Sequence, residues 1–291
     1  MLPNKVILRD CIEGIKELGD NSIDVIIADP PYNIGKDFGN DSDKQVMSEY
    51  YEWNKIWISE CYRVLKPHGS IFIYGFSEIL AQIFVDIEYK TKRWLVWHYT
   101  NKTTPSLKDW QRSHESIIHL WKGKEKIFNT DDVREEYTKS FLKNAAGKKR
   151  RATKGRFSKG ETETTYKAHD NGALPRDVFK VSALAGGAGA KERWFYCTNC
   201  DSAYHPTEKK NHIEHEIINH PTQKPYELTK KLISSSIPKD SVPQILIPFS
   251  GSGGELIVAR DLNCEFVGFE INPIFVKLGN VWLDKTKKTN E

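Results

Sequence analysis

A chain of 291 residues with 38% hydrophobic content and eight Trp can bury one large α/β core carrying an insertion, or two small ones. Five Cys, an odd number in a chain this long, argue against a disulfide framework. The lack of an apolar run of about 18 residues, and of an apolar stretch in the N-terminal MLPNKVILRD, reads as a soluble, cytoplasmic protein with no membrane partner. The net charge of +4 is modest, but nine Lys or Arg and no acid fall between Lys139 and Lys159.

In chain order, KVILRD, CIEGIKEL, VIIADPPY, the amphipathic EYYEWNKIWISECYRVL and GSIFIYG alternate strand with helix, which is the pattern of a parallel sheet with crossover helices. RWLVWHYT and ESIIHLW are two further strands, joined by a Trp-containing polar connection. From residue 122 the pattern dissolves into charged and Gly-rich sequence, including SALAGGAGAKE, and order returns near residue 221 with PYELTKKLISSSI, QILIPF, GELIVARDL and EFVGFE. The expected organisation is therefore an α/β domain formed by residues 1–121 and 219–291, with residues 122–218 inserted.

Within VIIADPPY, Val25 to Ala28 read as a strand buried on both faces, and Pro30 and Pro31 cannot extend a ladder, so Asp29 stands at the strand's carboxyl end. In open parallel sheets that edge is where ligands bind. Near the other end, a buried strand leads into the turn Phe249, Ser250, Gly251, Ser252, Gly253, Gly254, then a helix, then a strand ending at Glu270 and Ile271. The glycines let backbone approach a ligand, and Glu270 is spaced to accept hydrogen bonds from ribose hydroxyls, so an adenosine-containing cofactor is expected.

DPPY at 29–32, HPTQKP at 220–225, and PFSGSG at 248–253 followed by GFEINP at 268–273 together resemble the beta-class DNA amino-methyltransferases. The resemblance spans roughly residues 5–121 and 219–286. It implies a Rossmann-like methyltransferase sheet, circularly permuted: a catalytic half (1–121), a target-recognition insertion (122–218) and an S-adenosylmethionine-binding half (219–291). Asp10 and Cys11, in the RDC after the first strand, resemble a short cofactor-contacting motif. Lys224 resembles a residue facing the methionine carboxylate.

The resemblance also implies the chemistry. An exocyclic amino group is a poor nucleophile because its lone pair is delocalised into the ring, so it must be oriented. Asp29 and the Pro30 carbonyl would accept its two hydrogens, Pro31 would stiffen the turn, and Tyr32 would stack on a base flipped from the duplex. An Asp at the motif's head resembles adenine-N6 enzymes more than cytosine-N4 ones. Two departures stand out: Ile247 occupies a position where the family usually has Asp, and Gly254 one where Thr is common. Loss of that carboxylate leaves open a DNA-binding subunit that depends on a partner for catalysis. Double-stranded DNA, a homodimer and a cognate restriction endonuclease are the implied partners.

The basic run suits either a solvated loop or a phosphate-binding arm, in which Lys148, Lys149, Arg150, Arg151, Lys154 and Arg156 would meet DNA. Trp110, Gln111 and Arg112 are further candidates to approach DNA, with packing the alternative for Trp110. Finally, Cys197 and Cys200, followed by His205, His212 and His215, could close a tetrahedral zinc site. The set Cys197, Cys200, His212 and His215 has the spacing C-x2-C-x11-H-x2-H. Cys11, Cys61 and Cys264 read as small core residues.

Overall fold

The structure, a computed structural model, describes residues 1–38, 43–101, 107–151, 154–155, 160, 163–185 and 191–286. These form two compact units, one of Met1–Phe128 with Asp177–Glu291 and one of Asn129–Arg176.

In the first unit, β1 (Lys5–Leu8), β2 (Ile23–Ala28), β3 (Leu65–Gly75), β4 (Lys92–His98) and β5 (His114–Trp121) come from the N-terminal part. The later segments supply β8 (Val178–Lys180), β12 (Gln244–Ile247) and β13 (Glu265–Glu270). They make one sheet in the order β1-β13-β12-β2-β3-β5-β4-β8. Strands β1, β13, β12, β2 and β3 run parallel, and β5 is antiparallel to both β3 and β4. The seven strands read from the sequence are joined by an eighth, β8, which pairs in parallel with the outer edge of β4. An unpaired edge exposes backbone donors and acceptors, and the three residues of β8 cover part of this one.

Alternation along the buried strands sorts the core into two layers. Val25 and Ile27 of β2, with Phe72, Tyr74, Ile117, Ile245 and Ile247, face the helices α5 (Tyr226–Ser236), α6 (Gly254–Asp261) and α7 (Pro273–Lys285). Ile26 and Ala28, with Ile71, Ile73, Ile118 and Leu246, face α1 (Cys11–Lys16), α2 (Met47–Val64) and α3 (Ser77–Asp86). In α2 the buried residues Tyr50, Asn54, Trp57, Ile58, Cys61 and Val64 recur every three or four positions, so one stripe meets the sheet. Cys11, Cys61 and Cys264 are buried free thiols, as expected.

Of the expected insertion, residues 122–218, only 129–176 form the second unit. Residues 122–128 and 177–218 belong to the first unit, where β9 (Phe195–Cys197), β10 (Ser202–Tyr204) and β11 (Ile217–Asn219) form a small antiparallel sheet beside α7. Trp194 stacks on Trp282 of that helix with ring centroids 5.6 Å apart, and Lys277 Nζ lies 2.7 Å from Asp201. The second unit contains α4 (Lys139–Asn144) and a hairpin of β6 (Lys149–Arg151) and β7 (Glu163–Thr165). Glu135 binds Arg176 there, and among the described residues only Val133 of its apolar side chains is buried. Among the described residues no helix is long and apolar enough to cross a membrane.

The two ends of the chain meet across β12 and β2, and a buried acid fastens that seam. Asp24 of β2 is fully buried and accepts from Lys66 Nζ at 2.8 Å and the Gln244 backbone N–H at 2.8 Å, with His68 Nε2 at 3.2 Å. Truncation leaves a buried amide and an ammonium without their acceptor. Asp24→Ala should therefore lower stability by about 3 kcal/mol in urea denaturation, while a loss below about 1 kcal/mol would show that the seam does not depend on it.

Candidate active site

Strand order reverses between β2 and β12, and a cleft opens at their carboxyl ends. Asp10, Cys11, Asp29, Pro30, Pro31, Tyr32, Phe249, Ser250, Gly251, Ser252, Glu270 and Ile271 all line it, so residues from both ends of the chain share one pocket.

On the β2 side, Asp29 is held by two groups. Tyr32 Oη donates toward Asp29 Oδ1 at 2.8 Å and lies 3.1 Å from Glu115 Oε2. Lys224 Nζ donates to Asp29 Oδ2 at 2.6 Å, sits 3.7 Å from Glu115 Oε2, and lies over the rings of Tyr32 and Tyr74. Burial pulls the Lys224 pKa down, but the charges of Asp29 and Glu115 outweigh it, and the net shift is upward. Burial and the same two carboxylates hold the Tyr32 phenol well above its usual range. Tyr32 is 9% exposed and its ring meets Phe76 edge-on, so it lines the cleft as a packed side chain and not as an open stacking platform.

Lys224, expected to face a ligand carboxylate, is absent from the cleft lining and lies buried against Asp29 as its counter-ion. Gly253 and Gly254 likewise do not line the cleft. Gly253 has φ +85° at the start of α6, and a Cβ there would stand 2.9 Å from Gly279 Cα, so its role is the close approach of two helices.

Gly251, with φ +48°, does face the cleft, and its N–H donates to Glu270 Oε2 at 2.9 Å. Glu270 Oε1 accepts from the Asn272 N–H at 2.8 Å. Burial raises the Glu270 pKa, with these backbone donors pulling the other way. Asp10 caps α1, its Oδ1 accepting from Ile12 and Glu13 N–H, and Phe249 is wedged edge-on between Trp53 and Trp57. Among the described residues His220 Nδ1 has no hydrogen-bond partner, and burial with the nearby charges of Lys224 and Arg193 pushes the imidazole pKa down to about 3.

Three residues were not singled out from the sequence. Glu115 is an acid inside the apolar run of β5, a visible anomaly that could have pointed to the site. Asp43 is buried and gathers the backbone N–H groups of Asn33, Ile34 and Lys36, which shapes the loop after Tyr32. Glu255 stands in the first turn of α6 and lines the cleft. Ile247, the residue in place of the family's usual Asp, is 1% exposed and lies in the apolar core. Glu255 thus provides a carboxylate close along the chain where Ile247 provides none.

The family model described as DNA methylase, covering N6 and N4 amino-methyltransferases, matches residues 23–281, and the chain belongs to that family. It is 29% identical over 290 residues to the type II methyltransferase M.HpaI of Haemophilus parainfluenzae, covering 97% of this chain and 75% of that protein. It is 28% identical over 285 residues to the DNA adenine methyltransferase YhdJ of Escherichia coli (strain K12), covering 96% and 82%. The fold is similar to that of the cytosine-N4-specific PvuII DNA methyltransferase, with a TM-score of 0.62 at 14% identity over 93% of this chain and 83% of that one.

Burial, then the charge of Asp29, raises the Glu255 pKa from 4.5 to about 7. The folded state therefore binds an extra proton between those values, and stability falls as pH rises from 4.5 through 7. Glu255→Gln should remove that slope and be more stable than the parent at pH 8 by up to about 3 kcal/mol, and equal to it at pH 4. Urea denaturation across this range checks it; an unchanged slope would contradict the assignment.

Proposed function

We propose that this DNA methyltransferase transfers a methyl group from S-adenosylmethionine to the exocyclic N6 amino group of adenine in double-stranded DNA, as the modification partner of a restriction endonuclease. The observation that carries this reading is the convergence of Asp29 and Pro30, from one end of the chain, with Gly251 and Glu270, from the other, on a single cleft.

The cleft suits the cofactor. Glu270 offers ribose hydroxyls a carboxylate already oriented by backbone donors, Gly251 allows close backbone approach, and Asp10, Phe249 and Ile271 complete an adenosine pocket of mixed polarity. Bound there, S-adenosylmethionine supplies an electrophilic methyl group. Glu255, ionised once a cation approaches, is the acceptor for the amino-acid ammonium in place of the missing acid at Ile247.

At the target, Asp29 and the Pro30 carbonyl accept the two amino hydrogens and turn the nitrogen lone pair toward the methyl group. Lys224 and Tyr32 hold the Asp29 side chain in place, and its carboxylate stabilises the positive charge that develops on nitrogen. The Asp head of the motif and the adenine enzyme among the relatives favour adenine over cytosine.

Two exposed features, each within its own unit, are candidates to meet DNA. Lys148, Lys149, Arg150, Arg151 and Lys154 are exposed in the second unit, while Arg156 lies outside the described residues. In the first unit Trp110 is 96% exposed, which removes packing as its explanation, and Arg112 pairs with Glu78 and covers Phe76. Trp110 belongs to the connection between β4 and β5, which opens at the same sheet edge as Asp29 because Ser116 pairs with Gly75 at the carboxyl end of β3.

Asp29→Ala should lower methyl transfer on the order of 10³-fold while DNA binding persists, because the carboxylate acts on the reacting amino group and not on phosphate. Mass analysis of nucleosides from treated DNA should show N6-methyladenine; N4-methylcytosine in its place would overturn the adenine assignment. Replacing Lys148, Lys149, Arg150 and Arg151 together by Ala should weaken binding to every sequence and flatten the salt dependence by roughly 0.9 log units for each phosphate no longer neutralised. An unchanged slope would make that run a solvated hairpin.

A further inference from the structure

Cys197, Cys200, His212 and His215 bring their donor atoms within 4.8 Å of one another, and none of the four lines the cleft. Cys197 Sγ and Cys200 Sγ are each 3.3 Å from His215 Nδ1; Cys200 Sγ is 3.7 Å from His212 Nδ1; and the two Nδ1 atoms are 3.3 Å apart. Zinc bonds of about 2.3 Å to sulfur and about 2.0 Å to nitrogen set tetrahedral edges of about 3.3 Å between nitrogens and about 3.5 Å between nitrogen and sulfur. These four of the six separations lie within about 0.2 Å of those edges, and the remaining two lie within 4.8 Å. We propose that these four side chains form a structural zinc site.

The surroundings are built for it. The Cys-x2-Cys turn joins β9 to β10 and is closed by Asp201 in the left-handed region at φ +46°. Thr198 N–H donates to the Glu216 carbonyl and Glu216 N–H to Asn199 Oδ1, which fastens the turn against the segment carrying both histidines. The His212 ring is stacked on Tyr204 with centroids 4.2 Å apart. His205, the third histidine nearby, is excluded: its Nδ1 meets Thr207 and its Nε2 the Lys191 carbonyl.

The donor set selects the metal and the role. Two thiolates and two imidazoles suit Zn²⁺, and no carboxylate is present to favour Mg²⁺ or Ca²⁺. Four protein ligands close the coordination sphere, so the site holds structure and leaves no position for substrate. Its place in the chain defines what it holds. Just after the site come β11 and then His220, Thr222, Gln223 and Lys224, which lead into and support the cleft. The metal would anchor β9, β10 and β11, whose three-residue strands have little hydrogen bonding of their own, at the entry to that segment.

Protein purified without chelator or metal-affinity resin should contain about one zinc per chain by mass spectrometry. Cys200→Ser and His212→Ala should each reduce that to roughly a tenth or less, whereas Cys264→Ser, a buried thiol elsewhere, should retain it. Should the ligand variants fail to fold, the parent protein still decides the matter. Cobalt(II) exchanged for zinc should give the intense visible bands of tetrahedral thiolate coordination, and chelation should speed amide exchange in residues 195–219. Folded protein that holds no zinc and takes up no cobalt, or a Cys197–Cys200 disulfide in freshly purified protein, overturns the proposal.

Discussion

The ion pair between Asp29 and Lys224 joins residues far apart in the chain and sets the character of the whole site. One buried ammonium faces Asp29 directly and Glu115 just beyond, with Glu255 close enough to feel both charges. Burying a carboxylate is costly unless it is paired and hydrogen-bonded, and Lys224 and Tyr32 supply both for Asp29. The same proximity leaves Glu255 under-compensated, and burial beside Asp29 raises its pKa.

The fold delivers these groups through its topology. Because the strand order reverses between β12 and β2, the loops after those strands diverge, and the space between them becomes the cleft. Asp24 ties β2 to Gln244 at the amino end of the same seam, so the carboxyl ends are held in register from below. Circular permutation costs this arrangement nothing, since β1 pairs with β13 and brings the chain's two ends into one sheet.

Much of this was legible in the amino-acid order. Runs such as VIIA and QILI carry the apolar continuity of strands buried on two faces, and prolines or glycines punctuate each strand's carboxyl end. The motif order placed Asp29 and the Gly251 turn in one site, and the structure brings them into one cleft. The three-residue strands β8, β9, β10 and β11 were not legible, because three residues are too few to establish a period of two.

The sequence by itself determined which residues end the strands and where the backbone must bend, because proline, glycine and uninterrupted apolar runs constrain the chain locally. Only the tertiary structure decided the partners. It set Lys224 against Asp29 as its counter-ion, drew Glu115 and Glu255 into the same buried cluster, and packed Gly253 against Gly279 of the neighbouring helix. It also chose His212 and His215, not His205, to face the two cysteines. Each of those outcomes depends on distances between residues remote in the chain, and in a buried site the energy of a charge or a metal ligand is set by such distances.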